Sequence, residues 1–269
     1  MIMNNSRFLH IAAVWLAVLF AAGCARTPRL DVLSFTTSQE TPSAPGCPLT
    51  HRLDVSLEYP EVKGDKDLAA VTIRQSIFEA AFGEKYDTLN VADAAAHYAE
   101  DLAAEFKELS AAMWRGWQQA GISDPSAEEW SDSIEGYFAG QNGRYVSYIV
   151  NIVDYTGGPH DNSSTRAMVF DLKTGGAVTL DDLFVPGFDA RLTGILNNHL
   201  PKSLSPEEVE SLFEDTVHPT GNYILTSDSI TFIYNPMEIA PAYVGTPSIS
   251  VPVSELRKAG LLAKKLKEW

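Results

Sequence analysis

The sequence is poor in cysteine and in basic residues. It has two cysteines, and 20 Lys and Arg residues stand against 35 Asp and Glu, so the formal net charge is -15 at pH 7. Two cysteines exclude a disulfide-rich fold. The acidic excess argues against a nucleic-acid partner, because phosphate groups would be repelled. An acidic surface attracts basic proteins and cations, although it most often serves solubility.

Long apolar runs are also scarce, and the most continuous one covers residues 11–20 at the N-terminus. It is shorter than the roughly 18 residues of a membrane-spanning helix, so a cleaved signal peptide over residues 1–23 is the better prediction. Ala22-Gly23-Cys24 at its end resembles the lipobox of bacterial lipoproteins, with Ala21 where Leu is more usual. The resemblance implies acylation of Cys24. An ordinary signal peptide with a coincidental cysteine is the alternative.

Acylation of Cys24 would attach the protein to a membrane without a spanning helix. Each buried methylene contributes about 0.8 kcal/mol, so several acyl chains give lasting attachment. Ala25 and Arg26 lack the inner-membrane Asp signal, which predicts the periplasmic face of the outer membrane. Residues 24–50 are rich in Pro, Ser and Thr and are predicted to form a flexible tether. Cys47 would then have no disulfide partner within the chain.

Hydrophobic spacing predicts an α+β fold with antiparallel sheets packed by helices. Alternation over residues 51–60 predicts a strand, and helical spacing predicts helices over 67–82 and 91–120. Further strands are predicted over 130–139, 144–155, 166–172, 177–180, 223–226, 229–234 and 248–253. Short helices are predicted over 190–200, after the capping box at Ser205, and as a basic amphipathic helix at the C-terminus. Helices come mostly before strands, which favours α+β over βαβ.

Motifs in the second half of the chain carry a family resemblance. They are Tyr155-Thr156-Gly157-Gly158-Pro159-His160, residues 170–175, 180–184 and, most strongly, 222–226, 232–241 and 251–256. Together they resemble the DUF3298 domain of RsiV- and PdaC-like envelope proteins. Residues 51–154 are similar in layout to the DUF4163 domain that usually precedes it. The resemblance implies two α+β subdomains, 51–154 and 155–269.

The resemblance also implies a recognition function. Relatives use this module in membrane anti-sigma factors to bind lysozyme, while deacetylase relatives keep their chemistry in a separate domain that this sequence lacks. Pro159, Met237 and Val253 depart from the residues usual in the family, so the ligand is expected to differ. We therefore expect a non-enzymatic binding module for a basic, lysozyme-like protein or a peptidoglycan component. The alternative is a cell-wall hydrolase or deacetylase, or its accessory.

Candidate chemistry in the sequence is sparse. The histidines after the signal are scattered without H-x-x-x-H spacing, so no metal or other cofactor is predicted. His160-Asp161 beside Gly157 and Gly158 is the most suggestive cluster, because a loop can expose an imidazole next to a carboxylate for base catalysis or metal binding. No nucleophile motif accompanies it, and the glycines suit a turn equally well.

Two further acidic positions have a structural and a functional interpretation. Glu238 stands between two prolines, where it could hold a ligand or bind backbone amides. Asp181-Asp182 could bind a cation or stabilise the start of a short helix. The predicted ligand-binding residues are Tyr155, Gly157, Gly158, His160, Asp161, Glu238 and Tyr243, and no catalytic residue is predicted.

Overall fold

The computed structural model describes residues 29–64, 66–122 and 129–263. Five strands form one sheet in the order β1-β2-β3-β4-β5, and three form a second in the order β6-β7-β8. The strands are β1 (Val32–Pro42), β2 (Thr50–Pro60), β3 (Glu129–Asn142), β4 (Tyr145–Tyr155), β5 (Asn162–Asp171), β6 (Tyr223–Leu225), β7 (Ser229–Ile233) and β8 (Ser248–Pro252). The helices are α1 (Leu68–Phe82), α2 (Val91–Gln119), α3 (Leu180–Leu183), α4 (Asp189–Ser203), α5 (Pro206–Glu210) and α6 (Val253–Lys258). The predicted α+β class is confirmed.

Strand β1 corrects the predicted tether over residues 24–50. It pairs with β2 along its whole length, and Phe35 is 8% exposed in the core beneath the helices. Ser34, Thr36 and Ser38, which suggested a linker, are exposed on one side of the strand and alternate with more buried residues on the other. The signal peptide and Cys24 lie outside the described residues.

One strand pairing differs from the predicted antiparallel arrangement. β2 and β3 run parallel, and α1 and α2 form the connection between them. A parallel neighbour requires a long crossover, and these two helices supply it while covering one face of the sheet. A βαβ-type unit thus lies inside an α+β fold.

The helices seal that face with a closely packed core. Ile73, Ile77 and Phe78 of α1 are fully buried, and α2 contributes a stripe of buried alanines before Phe106. Small side chains let α2 lie close to its neighbours, because packing distance depends on the residues at the contact. The Asn90 side chain accepts a hydrogen bond from the Asp93 amide (3.0 Å) and so caps α2.

Strand β4 is buried on both faces and joins the two sheets. Val146, Tyr148 and Val150 face the helices, whereas Ile149 packs against Ile233 of β7. The predicted subdomain boundary at 154/155 lies between β4 and β5, which pair antiparallel in the same sheet. Strands from both predicted subdomains therefore belong to this sheet.

Gly136 of β3 shows how tightly the helix-covered face is packed. The Tyr148 hydroxyl crosses this position and donates a hydrogen bond to the Glu58 carbonyl (2.6 Å). A Cβ at residue 136 would collide with that hydroxyl and lie 2.6 Å from Leu57 Cδ2. Only glycine fits this close approach without displacing its neighbours.

The predicted C-terminal helix is shorter than expected. α6 ends at Lys258, where Gly260 (φ 65°) adopts the left-handed conformation and the Leu261 amide donates to the Leu256 carbonyl (3.0 Å). This is a Schellman ending. Leu261 and Leu262 are both buried, and they follow the end of the helix. Residues 264–269 lie outside the described residues.

Candidate functional site

The predicted loop at residues 155–161 is held by local bonds. Tyr155 donates a hydrogen bond to the Gly158 carbonyl (3.1 Å), and Gly157 and Gly158 have positive φ angles of 89° and 120°. His160 is exposed, and its Nδ1 lies 3.0 Å from the backbone oxygen of Asp161. Since a carbonyl only accepts, the imidazole bonds backbone here rather than the Asp161 carboxylate. The predicted imidazole–carboxylate pair is therefore not formed.

Residues 235–244 form a second predicted loop, which begins with a tight turn. The Glu238 amide donates to the Asn235 carbonyl (3.0 Å), and the Glu238 carboxylate accepts from the Asn235 amide (2.8 Å). Of the two interpretations of Glu238, the geometry shows the bond to backbone. Met237, at φ 67°, is the one non-glycine residue of the described chain with a positive φ. Glycine or asparagine normally occupies such a turn position, so methionine is strained there.

Three contacts tie this second loop to the rest of the fold. Asn235 Oδ1 accepts from the Thr165 amide of β5 (2.6 Å), and the Phe213 amide donates to the Ile239 carbonyl (3.0 Å). Just before the loop, Tyr234 donates its hydroxyl hydrogen to the His218 carbonyl (2.7 Å). Burial, with a smaller contribution from the Glu238 charge, raises the pKa of Tyr234. The scaffold therefore holds the strained turn in place.

Large apolar side chains are exposed on and beside this loop. Tyr243 is 74% exposed, Met237 61% and Phe213 51%. Acidic residues accompany them, since Glu214 and Asp215 follow Phe213 and Glu238 follows Met237, all exposed. We call Phe213, Met237 and Tyr243 the apolar loop surface. Exposed aromatic and methionine side chains with charged neighbours are typical of protein-binding surfaces.

The two predicted loops flank different parts of β5. Asp161 immediately precedes the strand, whereas Asn235 binds Thr165 within it. Four extended residues span about 13 Å, which separates Asp161 along β5 from the residue that Asn235 binds. The sequence did not indicate Phe213, because its backbone hydrogen bond to Ile239 joins residues that are distant in the chain. Met237 was indicated only as a departure from the family pattern. The turn sequence Asn235-Pro236-Met237-Glu238 could have pointed to its role.

A polar cleft of about 670 Å³ lies on the other part of the five-stranded sheet, away from the helices. Its polar lining comes from β1, β2 and β3, and includes Ser34, Thr36, Ser38, Asp54, Ser56 and Glu135. The strand register aligns Thr36, Ser56 and Glu135 in one row across the sheet. The sequence does not indicate this cleft, because its local composition predicts a tether where β1 lies.

The remaining candidate chemistry has a structural role. Asp182 accepts hydrogen bonds from the Thr179 amide (3.1 Å) and hydroxyl (2.9 Å), and so caps α3.

Over residues 29–64, 66–122 and 129–263, no three His, Cys, Asp or Glu side chains are grouped as metal ligands. None of the helices in these ranges has both the length and the apolar character needed to cross a bilayer.

Two histidines are buried and paired with carboxylates from distant parts of the chain. His51 Nε2 lies 2.6 Å from Asp132 Oδ2 of β3, and the His51 ring packs against Phe106 at 5.4 Å. His199 Nε2 lies 2.9 Å from Glu255 Oε2. Each pair links two elements of the core, and neither His51 nor Asp132 lines the polar cleft.

Comparison with known proteins finds a family match for residues 181–254. Residues 181–254 match the family model DUF3298, described as a protein of unknown function. A solved DUF3298 family member from Bacteroides fragilis is 24% identical, with a TM-score of 0.78 over 88% of this chain and 95% of that one. A DUF3298 family protein from Pseudomonas aeruginosa is 15% identical, with a TM-score of 0.59 over 89% of this chain and 97% of that one. No curated protein matches the sequence. Residues 181–254 are thus a DUF3298 domain, and the chain has the mixed α+β fold of the solved DUF3298 structures.

Proposed function

We propose that this protein is a non-enzymatic binding module that captures a basic, lysozyme-like protein outside the cytoplasm. In this proposal acyl chains on Cys24 hold it to the periplasmic face of the outer membrane. The observation that carries the binding role is the strained Met237 turn, which displays an exposed methionine on the same loop as the exposed Tyr243. Strain of this kind persists where the surrounding structure imposes it, and it is concentrated at functional sites.

The apolar loop surface has the physical properties of a binding site. Its backbone is fixed by Asn235 and Ile239, so little conformational entropy would be lost on binding. Methionine adapts to irregular partner surfaces, and tyrosine supplies a large, rigid contact. Acidic neighbours and the net charge of -15 would steer a basic partner toward the loop.

The binding test uses the full-length chain in non-ionic detergent with lysozyme as the probe. We expect saturable binding that weakens as salt rises from 50 to 500 mM, because screening reduces long-range attraction. Tyr243→Ala should weaken binding at least tenfold, since a hot-spot residue contributes about 1.4 kcal/mol or more. Leu68→Ala is the matched control, because Leu68 is 68% exposed at the start of α1, outside the loop.

Two results would contradict the proposed binding site. One is lysozyme binding that Tyr243→Ala and Leu68→Ala change equally, and the other is no binding at low salt. The proposed anchor is tested separately by mass spectrometry of the mature N-terminus. A chain that starts at Cys24 with acyl chains supports the anchor, while an unmodified Cys24 or an uncleaved signal rejects it.

A further inference from the structure

Strand β1 forms one edge of the five-stranded sheet, and none of the described strands lies on its outer side. Two hydrogen bonds at the ends of the β1–β2 ladder show which residues of β1 bond to β2. The Glu61 amide donates to the Asp31 carbonyl (2.7 Å), and the Ser43 amide donates to the Leu49 carbonyl (3.1 Å). In an antiparallel pair, bonding residues alternate along the strand. The odd-numbered residues of β1 therefore bond β2, and the even-numbered ones point their N–H and C=O groups outward.

This outer edge lacks the usual protection against pairing. Among the residues that the structure describes, no backbone bond reaches the outward groups of Ser34, Thr36 or Ser38. Natural edge strands are commonly blocked by lysine, proline or a bulge. The register from Val32 to Pro42 is unbroken, and β1 contains no lysine and no proline before Pro42. The edge is thus long, regular and open to a further strand.

The side chains beside this edge favour a cationic strand. Ser34, Thr36 and Ser38 point into the polar cleft, and their small size leaves room above β1. Asp54 lies opposite Ser38 on β2, and its carboxylate has no hydrogen bond or ion pair within the described chain. Glu40 is exposed one step further along β1. A long basic side chain on an added strand could cross the small residues and reach Asp54.

We propose that the β1 edge is a docking site for an extended, lysine-rich segment of a partner protein, which adds to the sheet as a sixth strand. Backbone hydrogen bonds would supply affinity, and the carboxylates of the polar cleft would select basic side chains. A second copy of this chain is disfavoured as the occupant, because each copy has a net charge of -15 and the two acidic faces would meet. This site is separate from the apolar loop surface and does not depend on the function proposed for it.

The test measures binding of a peptide of alternating lysine and valine to the full-length chain in non-ionic detergent. We expect saturable binding with slower amide exchange at Ser34, Thr36 and Ser38, and at least tenfold weaker binding of the same peptide with glutamate in place of lysine. Thr36→Pro removes only an outward N–H, so it should weaken binding at least tenfold and preserve the β1–β2 ladder. Thr36→Val keeps that N–H and is the matched control.

A second variant keeps the test valid if proline disturbs the strand. Asp54→Asn should weaken binding of the lysine peptide by a factor of 3 or more, whereas Glu84→Gln, at an exposed acidic residue outside the cleft, should leave it unchanged. Protection of amides away from β1, or equal binding of the lysine and glutamate peptides, would overturn the proposal. A dimer that Thr36→Pro dissociates would also overturn it, because the edge would then belong to a second copy. Loss of lysozyme binding in Tyr243→Ala has no bearing on these outcomes.

Discussion

The two faces of the five-stranded sheet differ in how they are filled. The helix-covered face holds Gly136 and Tyr148 in contact too close for an added methyl group, and it buries the His51–Asp132 pair. On the opposite face the second sheet covers β4 and β5, whereas β1 and β2 carry small polar side chains around an open cleft. The same strands therefore serve stability on one side and leave a surface free for recognition on the other.

The largest effect expected on the closed face comes from Gly136→Ala. The added methyl group would displace both Tyr148 and Leu57, so we expect the free energy of unfolding to fall by about 3 kcal/mol. Urea denaturation measures this change. In the Tyr148→Phe background, which removes the colliding hydroxyl, Gly136→Ala should cost less. Equal costs in both backgrounds would show that the Tyr148 hydroxyl is not the cause, which leaves the collision with Leu57.

A smaller loss is expected when the buried pair is broken. Asp132→Ala leaves the buried His51 imidazole without its carboxylate partner, so the free energy of unfolding should fall by about 2 kcal/mol. The matched control is Asp54→Ala, which removes a carboxylate from the neighbouring strand on the open face. If both variants lose the same stability, the two faces do not differ as described.

Alkaline pH should also destabilise the closed face. Burial raises the pKa of Tyr148 above its usual value of about 10, so above that pH the unfolded chain ionises while the folded phenol keeps its proton. Stability is thus fully present below about pH 10 and declines as pH rises. Burial likewise raises the pKa of Tyr98 to about 12. Urea midpoints between pH 9 and 11 should fall less steeply in Tyr148→Phe than in the native chain.

The smallest stability change is expected on the open face. Asp54→Asn and Ser56→Ala should change the free energy of unfolding by less than about 0.5 kcal/mol, because neither side chain has a partner in the described chain. Thermal unfolding at one protein concentration measures this. A larger loss would mean that the polar cleft contributes to stability and is not simply an open surface.

Elements defined by local patterns were predictable from the sequence. α1 and α2 lie where helical spacing placed them, and the Ser205 capping box forms, with the Glu208 amide donating to Ser205 Oγ (3.3 Å). β2 follows the alternation of residues 51–60. The hairpin of β3 and β4 was predicted with a turn over Gly140 to Gly143. In the structure β3 continues to Asn142 and the turn is Gly143-Arg144, because a bulge after Phe138 lets the strand continue.

The candidate site was less predictable, because its geometry depends on contacts between distant residues. Tyr243 and Glu238 were chosen from the sequence, but the left-handed backbone of Met237 and the Phe213–Ile239 hydrogen bond follow from the fold. His160 and Asp161 are both exposed, as the sequence predicts, but the imidazole bonds a backbone carbonyl. Adjacent residues in a loop need not direct their side chains toward each other.

The sequence by itself determined the acidic character of the protein, its α+β class and most of its helices and strands, because charge and hydrophobic period are properties of neighbouring residues. It also supports the proposed signal peptide and acylation site, which lie outside the described residues. Only the tertiary structure decided that β1 belongs to the sheet, that β2 and β3 run parallel, and that the polar cleft stays open. These features depend on which strands pair and what covers them, and both follow from long-range burial.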